Sequence, residues 1–263
     1  MLAICGVVMD FAMLPALYFG EYEGLPDFFI LSIICIVFGL AIRFGISAGE
    51  TELKHAVIIA AIGWMLVAIV GAIPFMIIEH SGFIDGFFEA MSGWSGTGLT
   101  MYTRPSALTR TIQFWRSLTQ WVGGVGVIVL MVSILARPGT GAFALYKAEG
   151  REERIHPSII STIRTIWWIY LAITIFGVLL FLLAGLPLWD SINHAMVTIA
   201  TGGFSVKDGS IGEYNNIYAE IAAIIIMILG CIPFLLHYRV FKGDIRSFFR
   251  DIQVRALFST CLL

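Results

Sequence analysis

The segment Met91–Met101, MSGWSGTGLTM, holds three glycines, two serines, two threonines and no charge. It has no histidine, cysteine or carboxylate with which to cut or transfer anything. What it can offer is oxygen, from hydroxyls and from main-chain carbonyls. Glycine admits backbone angles closed to other residues, so successive C=O groups can turn to one side. A ring of neutral oxygens can replace the water shell of an alkali cation. Magnesium and calcium sites are usually built with carboxylates. Neither Ser95–Gly98 (SGTG) nor a similar segment 105 residues later, Ala200–Gly203 (ATGG), contains one. The rival reading of either segment alone is a glycine-rich helix-packing turn.

Each segment is preceded by a short apolar stretch, Phe83–Met91 (FIDGFFEAM) or Leu186–Ile199 (LPLWDSINHAMVTI). Both read as helical, and both are too short and too charged to cross a bilayer. They fit re-entrant half-helices, whose partly negative C-terminal ends point at the small polar loops. At an offset of 105, Asp85 aligns with Asp190, Ala90 with Ala195, Met91 with Met196 and Gly98 with Gly203. Asp85 and Asp190 are expected to cap the half-helices. Glu89 and His194 occupy matched positions one turn on, facing a pore mouth or pairing locally. His194 has no companion at metal-ligand spacing.

The elements that must position these loops are membrane spans. The chain has 263 residues, 59% hydrophobic and 13% charged, with net charge −2 and mean hydropathy +0.90. A soluble domain carries about 25% charge. Nucleic acid as a partner is excluded for want of a basic footprint. Six apolar runs come close to the ~20 residues a span needs: 2–19, 28–46, 56–78, 112–136, 165–189 and 217–238. The first reads as a retained helix, since it lacks the basic start of a cleaved leader. The fold class expected is an all-α integral membrane protein with about six transmembrane helices and two re-entrant pore half-helices.

Arg43, Lys54, Arg137, Lys147, Arg151, Arg154, Arg164, Arg239, Lys242, Arg246, Arg250 and Arg255 flank one side; only Arg104, Arg110 and Lys207 flank the other. Twelve against three makes the first side cytoplasmic. The outer side carries Glu21, Glu23, Asp27, Glu79, Asp85, Glu89, Asp190, Asp208 and Glu213. Fixed negative charge there would concentrate cations, unless these are ordinary solvated loops. Within the fourth run lies FWRSLTQWVGGVGVIVL, Phe114–Leu130. Gly123, Gly124 and Gly126 fit close helix contacts. Arg116 is an intramembrane charge, with Asp85 or Glu89 as partner in an ion pair behind the loop. The cysteines Cys5, Cys35, Cys231 and Cys261 fit neither a zinc site nor a disulfide framework.

FFEAMSGWSGTGLT, FWRSLTQWVGGVGVIVL and HAMVTIATGGFSVKDGSIGEYN together resemble the Trk/Ktr/HKT superfamily of potassium transporters, and its TrkH branch in particular. The resemblance implies potassium uptake across the cell membrane by a protein that is not an enzyme and needs no cofactor besides the permeant potassium ion. It implies coordination by carbonyls of Ser95, Gly96, Thr97, Gly98, Ala200, Thr201, Gly202 and Gly203. Asp85, Glu89, Arg116, Asp190 and His194 would support the filter. A homodimer with a cytosolic nucleotide-binding regulatory ring is implied as well. Gly98 favours potassium, because sodium-selective relatives often have serine there. The expected organisation is an N-terminal helix pair (1–55), a span–half-helix–loop–span module (56–136) and a cytoplasmic connection (137–161). A second module (162–238) and a basic segment that opens a third (239–263) complete it. The family builds its pore from four modules, so the chain is expected to be a fragment or to combine with a second copy. A non-conducting scaffold subunit and a sodium-permeable transporter are the alternatives.

Overall fold

The computed structural model describes residues 1–45, 53–135 and 159–261, and every regular element among them is helical. A backbone in lipid must satisfy its polar groups internally, and the helix does so within one segment. α1 (Leu2–Ala12) and α2 (Leu14–Phe19) form one broken span, and α3 (Leu25–Gly45) returns beside them. α4 (Leu53–Ile78), half-helix α5 (Phe83–Ser95) and α6 (Arg110–Leu135) follow. The same order then repeats with α7 (Ile159–Leu183), half-helix α8 (Leu188–Ile199) and α9 (Ile217–Cys231). The short helices α10 (Phe234–Phe241), α11 (Ile245–Arg250) and α12 (Ile252–Cys261) end the described chain. The connection 137–161 falls almost wholly outside the described residues.

Mean hydropathy reaches 1.9 over Leu2–Phe19, 2.5 over Leu25–Gly45, 2.4 over Ile58–Ile78 and 2.5 over Ser161–Leu183. Two runs depart from their expected bounds. The sixth, expected as a continuous span over 217–238, breaks between Cys231 and Phe234 with a 97° bend. Pro233 lacks an N–H and forces its predecessor out of helical geometry; Ile232 has ψ 135°. The imidazole Nε2 of His237 lies 2.9 Å from the Leu229 carbonyl at the broken end. The fifth run ends earlier than expected, at Leu183, because Gly185 turns left-handed (φ 88°) and Pro187 then opens α8.

α6 is the central element. It packs against α1, α2, α4, α5, α7 and α8. At 1.5 Å per residue its 26 residues extend about 39 Å. Its N-terminal half buries Gln113, Arg116, Ser117, Thr119 and Gln120, a polar stripe affordable only inside protein. Its N-terminus is held by two carboxylates. Glu21 accepts from the Arg110 and Thr111 amides at 2.8 and 2.9 Å. Glu79 accepts from the Thr109 amide and hydroxyl at 3.0 and 2.8 Å. The first N–H groups of a helix have no partner of their own, and negative charge complements that end of the dipole. Glu21 and Glu79 are therefore helix caps, not a cation-attracting rim. Asp208 is similarly occupied: the Ser106 N–H donates to it at 2.9 Å and holds its carboxyl below the usual carboxylate range.

Replacing Glu21 by Ala leaves the α6 amides uncapped. The expected cost is about 1–2 kcal/mol, read as a lower thermal midpoint in detergent, with Glu23→Ala unchanged as the control.

Candidate functional site

The two half-helices end in the same way. From α5, Gly96 N–H donates to Gly93 at 3.1 Å and Thr97 N–H to Ser92 at 3.0 Å. From α8, Thr201 N–H donates to Thr198 at 3.0 Å and Gly202 N–H to Val197 at 2.9 Å. This paired closure is the Schellman motif, which needs a left-handed residue just past the helix. Gly96 (φ 70°) and Thr201 (φ 52°) fill that place, again 105 residues apart. A β-branched residue in this region is a real outlier, and such strain clusters at functional sites. Two residues later Gly98 (φ 77°) and Gly203 (φ 106°) are left-handed too. The amide hydrogens of each turn fold back onto the helix. Ser95, Thr97, Thr201 and Gly203 are exposed, and Gly96, Gly98 and Ala200 partly so.

The loops abut. A Cβ on Gly98 would collide with the Gly202 carbonyl. Hydroxyls line the same region: Ser95 Oγ lies 2.7 Å from Thr97 Oγ1, and Thr201 Oγ1 donates to the Ala200 carbonyl at 2.7 Å. Uncharged oxygens on two adjoining turns can coordinate a monovalent cation and release it again. No cluster of three metal-type ligands occurs among the described residues.

Behind the loops, Arg116 Nε donates to Glu89 Oε1 at 2.7 Å, with the two side chains 1% and 0% exposed. Arg116 Nη1 donates to the Ser205 carbonyl at 2.8 Å, just past the second loop. Its Nη2 donates to Thr100 Oγ1 at 3.1 Å, just past the first. Glu89 also accepts from the Thr100 hydroxyl at 2.8 Å and the Met101 N–H at 2.9 Å. The guanidinium lies over the Phe204 ring at 4.2 Å. One ion pair thus fastens to α6 both segments that leave the loops.

Glycines set how closely the spans approach. Gly71 of α4 and Gly177 of α7 each bring an ideal Cβ within 3.3 Å of the Ala90 or Ala195 Cβ. Gly123 of α6 and Gly230 of α9 leave no room for a Cβ against the last half-helix carbonyls, of Trp94 and Ile199. Gly124 faces Ala200. Gly126, expected as a third contact, meets nothing within 4 Å among the described residues.

Several candidate residues land elsewhere than expected. Asp85 and Asp190 do not cap: the N-cap positions are Gly82 and Pro187, and each Asp sits in the first turn. Asp85 is exposed and plays no part in the Arg116 pair. Asp190 is buried, accepting from Tyr214 OH at 2.6 Å with Lys207 Nζ at 3.8 Å. His194 pairs locally, with Nε2 at 3.2 Å from the same phenol and its ring against Phe181. Sequence reasoning missed Gln120, whose Oε1 accepts from Phe204 N–H at 3.1 Å. Its signal was an amide side chain inside a span, one turn past Arg116.

A profile of the TrkH family, described as a cation transport protein, matches residues 24–260. An uncharacterized cation transporter of Methanocaldococcus jannaschii is 38% identical over 96% of this chain and 53% of its own. The Trk system potassium uptake protein TrkG of Escherichia coli is 34% identical, over 96% of this chain and 55% of its own. The crystal structure of the potassium transporter TrkH from Vibrio parahaemolyticus superposes with a TM-score of 0.84 at 29% identity, covering 98% of this chain and 54% of that one. The chain spans about half the length of the curated relatives it matches.

Removing one member of the buried pair strands the other. Glu89→Gln or Arg116→Met alone is expected to destabilise the protein by about 3–5 kcal/mol, and the double variant by less than the larger single loss. A double-mutant cycle of detergent melting temperatures measures this.

Proposed function

The chain belongs to the TrkH family of cation transport proteins, and on that premise we propose that it contributes two pore modules to a potassium uptake pathway. It is a multi-pass membrane protein, and the proposed work is permeation, not catalysis. The observation that carries the reading is the pair of left-handed, uncharged turns at one offset that meet at Gly98 and Gly202. Carbonyls of Ser95, Gly96, Thr97 and Gly98 would coordinate potassium with those of Ala200, Thr201, Gly202 and Gly203. The α5 and α8 C-termini, carrying partial negative charge, add a favourable field at the same place. Potassium rather than sodium is favoured by Gly98 and by the relatives called potassium uptake proteins.

The proposed modules are 56–136 and 162–238, with 1–55 as an outlying helix pair, 137–161 as the cytoplasmic connection and 239–263 as a basic segment. Arg116 and Glu89 would hold the loops in place without touching the ion. The complete assembly would be a homodimer gated by a cytosolic nucleotide-binding ring, as the family resemblance implies.

Rubidium uptake in a potassium-uptake-deficient host tests the reading. Gly98→Val should abolish uptake, because no side chain fits against the Gly202 carbonyl. Gly203→Val should lower it at least tenfold, since its backbone is left-handed. Normal uptake by both variants, at wild-type protein levels, would reject the filter.

A further inference from the structure

We infer that Gln120 is a positioning residue for ion selection: it fixes the direction of the Gly203 carbonyl. The inference rests on the carbonyl-filter reading and deepens it. Gln120 is fully buried on α6, in the first of the two repeats, yet its bond is to the second loop. Oε1 accepts from the Phe204 N–H at 3.1 Å. That N–H shares a peptide plane with the Gly203 carbonyl. In a trans peptide the two groups point in opposite directions, and the described chain has no cis peptide bonds. Holding the N–H against α6 therefore turns the Gly203 oxygen away from α6, and Gly203 itself is exposed.

Three further observations support a role beyond packing. Gln120 Nε2 is buried with no hydrogen-bond partner. A buried donor left unpaired is costly, so a residue kept only to fill space would be Leu or Met. The amide cannot be flipped to relieve this, because its NH2 would then face the Phe204 N–H, donor against donor. Second, a Cβ on Gly202 would overlap the Gln120 amide. The glycine and the glutamine are fitted to each other.

Third, the two loops are tied differently. In the first, Ser92 Oγ on the half-helix donates to the Leu99 carbonyl at 2.5 Å, one residue past the filter glycine. The matching position in the second half-helix is Val197, which has no hydroxyl. Phe204, the counterpart of Leu99, is tied instead by Gln120 from the neighbouring repeat. Gly203 has φ 106°, in a region open to glycine with little to hold it there, so an external tie decides which way its carbonyl looks.

The test compares rubidium and sodium uptake by the protein reconstituted in liposomes. Gln120→Met, isosteric but without the acceptor, should fold and lose at least tenfold in the rubidium-to-sodium ratio. Gln120→Glu keeps an oxygen at the Oε1 position and should retain the ratio within about twofold. Should Gln120→Met not accumulate, Gln120→Asn withdraws the acceptor by one methylene and carries the same expectation. A wild-type ratio in the variants lacking the acceptor overturns the inference, as does equal loss in Gln120→Met and Gln120→Glu, which would reflect packing. Gly203→Ala separates the two levels. If it alone alters the ratio, only the Gln120 role fails; if it leaves the ratio unchanged, the carbonyl filter fails too.

Discussion

A guanidinium sealed away from water cannot stand alone, and the arrangement around Arg116 follows from that constraint. Stripping an arginine of solvent costs several kcal/mol unless a counter-charge and further acceptors replace the water. Glu89 supplies the charge, and Thr100 and the Ser205 carbonyl accept from the other two nitrogens. Those partners come from α5, from the segment after the first loop and from the segment after the second. Satisfying one side chain therefore fixes three segments relative to α6. The polar stripe on α6 is tolerable for the same reason, since helices cover it on several sides.

The repeat is a repeat of physical solutions more than of residues. Each half-helix must stop in the membrane, and each stops with a left-handed residue and two amides folded back. Gly96 does this at no steric cost; Thr201 does it at some cost. Each half-helix must also lie close between two spans, and each span yields by placing a glycine at the contact. Gly71 and Gly177 serve on one side, Gly123 and Gly230 on the other. Keeping backbone approach while changing side chains is what the proposed main-chain filter would ask of the two modules.

Much of this was legible in the sequence because hydropathy and glycine are local signals. The spans, the two half-helices and the small polar loops all follow from run length and composition. Arg116 stood out as a charge among apolar neighbours, and its pairing with a nearby carboxylate could be anticipated. The caps could not. Glu21 reaches α6 across 90 residues of chain, and Asp190 turns to Tyr214, so an acidic residue near a helix start was misread as its cap. The bend at Pro233 was hidden by an apolar run that continues through it. Gln120 has no charge and sits beside conspicuous glycines, so its bond to a loop 84 residues away is visible only in three dimensions.

The neutrality of the Arg116–Glu89 pair matters as much as its geometry. Ser205 lies two residues beyond Gly203, which limits the intervening backbone to about 7 Å. Adding its hydrogen bond to the guanidinium, the positive charge lies within about 10 Å of the second loop. Alone, it would oppose a cation there by roughly 1.7 kcal/mol at an effective dielectric of about 20, more than a tenfold loss of occupancy. Glu89, bonded at Nε, cancels most of that field. The loops are then left with the two half-helix termini and their own carbonyls as the net source of attraction. The charged pair can therefore secure the loops mechanically while remaining electrostatically quiet, as the proposed filter requires.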